Sequence, residues 1–240
     1  MILISQTIAG DKPIHSDLNA ILGARKMMVL SVSQLRGVAD RVEDESHPFL
    51  ELTEDAELED AALGGVKGVR ALRRRPATRF LSLEELQRAR RAAEEVGRAG
   101  EELVCQYLIN LKKHGQIRDF VWTADRNAVA PYDFLLVTLE GREVAIDVKS
   151  TSGEFERSIH ISFAELIEMT GVRRYDIYRV FSVADECGEM RVTENVGPFA
   201  AEVLKGINLP DGVTTDSISA GIGAFDFGQI IHLEPPDNEE

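Results

Sequence analysis

The spacing of apolar residues along the chain predicts one long helix followed by a series of short strands. Ser82-Leu83-Glu84-Glu85 reads as a helix start, because the Ser side chain and Glu85 can satisfy free backbone donors reciprocally. Helical composition continues to about Lys113, with Val104, Tyr107, Leu108 and Leu111 spaced as a buried stripe, and His114-Gly115 stops it. Gly97 and Gly100 mark points where this helix could break. Three short, β-rich apolar segments follow at Phe120–Thr123, Tyr132–Leu139 and Glu143–Val148, and Ser158–Ile161 reads as a fourth strand. Ser162-Phe163-Ala164-Glu165 repeats the capping pattern and opens a short helix to about Thr170, before a branched, alternating strand at Tyr175–Val183. The order predicts an α/β (α+β) fold with a central hairpin buried on both faces.

Charge divides the chain further. The net charge is −14, from 41 acidic and 27 basic residues. Ten acids lie between Asp40 and Asp60 against Arg41 alone, and a basic run from Lys67 to Arg91 follows Gly64-Gly65. Residues 1–65 are therefore expected to form an acidic N-terminal region, partly helical around Leu18–Val42. Residues 66–81 are expected as a basic linker, 82–205 as the main domain and 206–240 as a C-terminal extension with an acidic tail. Attraction between the acidic and basic neighbours would lay one over the other. Two cysteines, Cys105 and Cys187, make no disulfide framework, and no apolar run approaches a membrane span, so a reduced cytoplasmic protein is expected. An acidic balance argues against a nucleic-acid partner, although local patches and bound cations outweigh the sum.

The candidate chemistry sits on the hairpin. Asp147-Val148-Lys149 ends an apolar strand, so Asp147 and Lys149 project to one face and Val148 to the other. Asp133 lies between Tyr132 and Phe134 on the preceding strand. Carboxylates in such places are costly to desolvate, and a divalent cation is the usual remedy. A three-residue turn, Leu139-Glu140-Gly141, with Gly141 left-handed, pairs Thr138 with Arg142 and sets Asp133 opposite Asp147 on the same face. A two-residue turn would instead turn Asp133 away. Glu101 falls on the inward stripe of the long helix, three residues before Val104, whereas Glu102 belongs to the solvated face. Asp133, Asp147 and Glu101 as ligands around one or two hard cations, Mg²⁺ or Mn²⁺, with Lys149 alongside, suit hydrolysis of a phosphodiester.

The ordered set Gly97-Arg98-Ala99-Gly100-Glu101, Pro131-Tyr132-Asp133, Asp147-Val148-Lys149-Ser150-Thr151, Ile161-Ser162 with Glu165, and Tyr175-Asp176-Ile177-Tyr178-Arg179-Val180 resembles the NO VEIN C-terminal-like domain. That domain is a branch of the PD-(D/E)xK, or restriction-endonuclease-like, superfamily. The resemblance covers about residues 95–185. It implies a restriction-endonuclease-like core with a central mixed sheet flanked by helices, metal ligands at Asp133 and Asp147, a catalytic Lys149 and a supporting Glu101. Two departures stand out: Tyr132 separates Pro131 from Asp133, and Asp147 occupies the acid position where Glu is often found.

Two function classes follow. The first is a metal-dependent DNA endonuclease in a restriction or anti-phage setting, with DNA and a larger target-recognising protein as partners, a homodimer as an option and no membrane. Ser150, Thr151 and the Arg73-Arg74-Arg75 run are its candidate phosphate contacts. The second is a catalytically inactive module of the same fold that binds nucleic acid or a partner protein.

Overall fold

A computed structural model of the chain describes residues 55–74, 81–127, 129–184 and 187–233, all within one compact unit, Pro48–Glu240. The helix expected around Leu18–Val42 and the residue Arg75 lie outside the described residues.

Two short helices come first, α1 (Ala56–Ala62) and α2 (Val66–Arg73), and then the long α3 (Leu83–Lys113). Strands β1 (Asp119–Trp122), β2 (Phe134–Val137), β3 (Glu143–Ser150) and β4 (Ile159–Ser162) lead to α4 (Phe163–Gly171). After it come β5 (Tyr175–Ala184), β6 (Cys187–Thr193), α5 (Gly197–Gly206), β7 (Ser217–Ala220) and β8 (Ile231–Leu233). The main sheet has six strands in the order β1-β2-β3-β5-β6-β8, and β4 pairs with β7 in a second, two-stranded sheet. The pairing of β3 with β5 is parallel, and the other pairings in the main sheet are antiparallel. The expected mixed α/β architecture with flanking helices is present.

Both predicted helix starts form as capping boxes. Ser82 Oγ accepts from Glu85 N–H while Glu85 Oε2 accepts from Ser82 N–H, and Ser162 and Glu165 make the same exchange. The long helix runs unbroken through Gly97 and Gly100 because its packing face is continuous: Ala89, Ala92, Val96, Leu103, Val104 and Leu108 are all buried. They pack on Phe134, Ile146, Val148 and Val180 from one face of the sheet. From the other face, Ala145, Tyr175 and Ile177 pack with Ile159, Ile161, Leu166, Met169 and Ala200. Alternation along β3 therefore splits its side chains between two cores, which is why the strand is apolar throughout.

Two sequence expectations are revised. Residues 66–73 are a helix rather than linker: Gly68 lets α2 approach α1 so closely that an added Cβ would lie 2.3 Å from Glu57 O, and its N–H donates to Asp60 Oδ2. Helix α1 thus packs against α2 at Gly68. Nor are residues 206–240 only an extension, since β7 pairs with β4 and β8 pairs with β6. These strands, of 4 and 3 residues, are too short to show period-two alternation. Strand β6 and helix α5 also went without a sequence expectation.

The two helical glycines separate packing from propensity. A Cβ at Gly100 would fall 1.8 Å from Ser150 Oγ and 2.7 Å from its Cβ, whereas nothing lies within 4 Å at Gly97. Gly100→Ala is expected to destabilise by ~1–3 kcal/mol and Gly97→Ala to stabilise by up to ~1 kcal/mol. Urea unfolding of the two variants checks this, and equal midpoints would contradict the packing described.

Candidate functional site

The β2–β3 turn fixes the site. Gly141 has φ +76°, a left-handed conformation that suits glycine. Gly141 N–H donates to Thr138 O and Thr138 N–H to Arg142 O, each at 2.9 Å. Phe134 then pairs with Ile146, and Asp133 stands across from Asp147 on the face opposite the α3 layer, as expected. Strand β2 is shorter than Tyr132–Leu139, so Asp133 occupies the bend just before it. That bend is held at three points. Asp133 N–H donates to Ile146 O at 2.9 Å, Asp133 Oδ2 accepts from Val148 N–H at 2.7 Å, and Tyr175 Oη donates to Pro131 O at 2.6 Å.

Lys149 shares the face of Asp147 and brings in a residue from the other layer. Its Nζ donates to Glu165 Oε1 at 3.0 Å and lies 2.9 Å from Asp147 Oδ2. The latter contact is an ion pair out of hydrogen-bond line, so Asp147 Oδ2 is buried without an aligned donor. Glu165 therefore has two tasks, since its Oε2 also caps α4 through Ser162 N–H. Its capping role was legible in the sequence and its contact with Lys149 was not, although the Ser-x-x-Glu string carried the residue.

Burial sets the electrostatics. It pushes the Asp147 carboxyl well above the ordinary carboxylate range; Lys149 opposes this, and Glu165 and Asp133 add to it. Asp133 is also raised by burial, against the Val148 N–H and Lys149. For Lys149 burial works against the ammonium, but Asp147 and Glu165 outweigh it and hold the group charged. The same three carboxylates, after burial itself, raise the Tyr175 phenol. Three carboxylates against one ammonium leave the site short of positive charge.

Glu101 reaches the end of the sheet from α3. Trp122 Nε1 donates to Glu101 Oε2 at 3.0 Å, and Trp122 stacks on Phe134 with centroids 5.5 Å apart. Glu102 is exposed and paired with Arg98 at 3.0 Å, so the two helix faces divide as expected. Among the described residues, no three His, Cys, Asp or Glu side chains gather into a ready metal cage. The two aspartates meet as a pair, while Glu101, expected as a third ligand, instead accepts from Trp122.

The other candidate residues lie elsewhere. Ser150 Oγ is buried against Gly100 on the α3 face, away from Lys149, with no hydrogen-bond partner. Thr151 Oγ1 donates to Glu59 Oε1 at 2.6 Å and accepts from Gly153 N–H. Arg73 and Arg74 are exposed at the C-terminal end of α2. An open pocket of about 530 Å³ lies away from the aspartates, between α1–α2 and the 154–160 loop.

Residues 100–193 match the family model described as Protein NO VEIN, C-terminal. No curated protein and no solved structure matches the chain. The NO VEIN C-terminal stretch, less than half of the chain, begins at Gly100 and ends with β6. It contains Glu101, Asp133, Asp147, Lys149 and Glu165, and it excludes α1, α2, α5, β7 and β8.

The Glu101 carboxyl is pushed up to about 7 by burial and then by the charge of Asp133. With the folded value above the ordinary 4.5, this group's stabilisation is complete below pH 4.5 and is lost as pH rises through about 7. Glu101→Gln is expected to remove that slope, so the variant gains on wild type between these values. Urea midpoints measured across pH check it, and parallel profiles for the two proteins would refute the assignment.

Proposed function

We propose that this chain is a metal-dependent endonuclease of the PD-(D/E)xK type, hydrolysing phosphodiester bonds in DNA. The observation that carries the reading is the surplus of carboxyl groups around Lys149, with the buried Asp147 Oδ2 left without an aligned donor. A hard divalent cation fits this donor set, since Mg²⁺ takes few carboxylates and keeps waters for substrate phosphate. Asp133 and Asp147 would hold it, in line with the register that brings them together.

Once bound there, Mg²⁺ or Mn²⁺ would supply Lewis-acid stabilisation of phosphate charge and a water of lowered pKa. The chain's own groups do the rest. Lys149 stays protonated, so it orients the attacking water and offsets charge developing on phosphate oxygens rather than acting as a base. Glu165 holds the Lys149 ammonium toward Asp147. Glu101, with a pKa of about 7, can exchange a proton near neutral pH at the end of the site. A restriction or anti-phage setting, with a larger partner choosing the target, rests on the family resemblance alone. The net charge of −14 favours a second reading, a catalytically inactive module on the same fold.

Purified protein incubated with plasmid and single-stranded DNA in Mg²⁺, Mn²⁺ or EDTA separates the two. Cutting with metal and none with EDTA is expected, and no cutting under any condition would leave the binding module. Asp147→Asn should lose metal binding and cleavage together. Lys149→Ala should retain metal binding and lose cleavage by ~10²–10³-fold, as when one transition-state donor is removed. Near-full cutting by Lys149→Ala would overturn the mechanism.

A further inference from the structure

The end of β3 is gripped by a buried charge network that starts outside the family-matched stretch. Glu59 of α1 is 5% exposed, and its carboxylate accepts from Thr151 Oγ1 at 2.6 Å and from Arg157 Nη1. A second guanidinium, Arg179 on β5, lies beside Lys149 in the parallel register and is 2% exposed. Its Nη1 donates to the Lys149 carbonyl at 3.1 Å, its Nη2 to the Arg157 carbonyl at 3.2 Å, and its Nε is buried without a partner. Burial lowers this guanidinium to about 10; the charge of Glu59 opposes the fall and that of Arg157 adds to it. Glu59 thus holds Thr151 and Arg157, while Arg179 ties the carbonyl of Arg157 to the carbonyl of Lys149.

We propose that Glu59 is a positioning residue for Lys149, so that α1 is a working part of the site rather than a neighbour of the domain. Two points set this apart from simple helix docking. Asp60, on the same helix, supplies docking contacts of its own to Gly68 N–H and, at 3.0 Å, His160 Nε2. Loss of the Glu59 carboxylate, in contrast, releases Thr151 Oγ1, two residues past Lys149, and breaks the pair with Arg157, whose carbonyl is held by the same guanidinium as the Lys149 carbonyl. A buried polar group that loses its partner is relieved by moving the chain that carries it, and here Thr151 follows directly on the end of β3. The catalytic part of the inference rests on the nuclease reading, whereas the positional part does not.

The test uses full-length protein labelled with ¹⁵N-lysine, with the Lys149 ammonium signal assigned through Lys149→Met. Glu59→Gln is expected to shift or erase that signal, Glu59→Asp to restore it in part, and Asp60→Asn to lower Tm while leaving it in place. On DNA, Glu59→Gln should lower kcat by ~10–100-fold with KM within about threefold, the scale seen for partners that orient a catalytic group. If Glu59→Gln does not fold, Thr151→Val breaks the same network and should move the same signal. An unmoved signal in a folded Glu59→Gln, or an equal movement in Asp60→Asn, overturns the proposal. A wild type that cuts no DNA defeats the nuclease reading alone, because the ammonium signal still reports on Glu59.

Discussion

One buried ammonium among three carboxylates is the constraint around which this site is organised. Lys149 is flanked by Asp147 on its own strand and Glu165 on the following helix, with Asp133 across the hairpin. None of these charges would stay at the centre of a fold without the others, because desolvation exceeds what a single partner returns. The surrounding elements hold the set together. The β2–β3 turn sets the aspartates face to face, the Ser162 cap aims Glu165, and Tyr175 ties down the bend that carries Asp133. Even so the charges do not cancel. A site in which burial raises two carboxyls beside one ammonium is suited to a cation that would offset them, and this supports the proposed function more directly than any single contact.

The parts of this arrangement legible in the sequence are those fixed by local rules. Gly141 announced the turn, and the turn determined the register to the residue, so the meeting of Asp133 and Asp147 followed from period-two alternation. The 3-4 stripe of α3 likewise separated Glu101 from Glu102. Contacts between distant segments left no such trace. Glu165 looked like an ordinary capping residue because its second oxygen has a partner 16 positions earlier. Glu59 sits among so many acids between Asp40 and Asp60 that nothing local marks it as buried, and its partners lie 92 and 98 positions away. The glycines at 64, 65 and 68 suggested a flexible boundary. At Gly68 the small side chain instead serves a close helix crossing, which composition alone does not distinguish from a linker.

The acidic balance of the chain, the main objection to a nucleic-acid partner, is unevenly distributed. Ten acids against one base between Asp40 and Asp60 amount to −9, and the three acids of Pro235–Glu240 to −3, so all other residues together carry −2 of the −14. Within that remainder, Asp147 and Asp133 stand where the proposed metal would offset them. Nine basic residues from Lys67 to Arg91 face Glu84 and Glu85 as the acids of the same span. Long-range attraction to phosphate depends on the field a surface presents within a Debye length of roughly 8 Å, and segments farther away contribute little to it. The unit Pro48–Glu240 that carries the site still bears −13 of the −14, because residues 1–47 hold six acids against five bases, and its basic residues of this span gather in α2 and the first turns of α3. Attraction of nucleic acid would therefore fall to that basic run and to the proposed cation, working against the field of the rest of the unit.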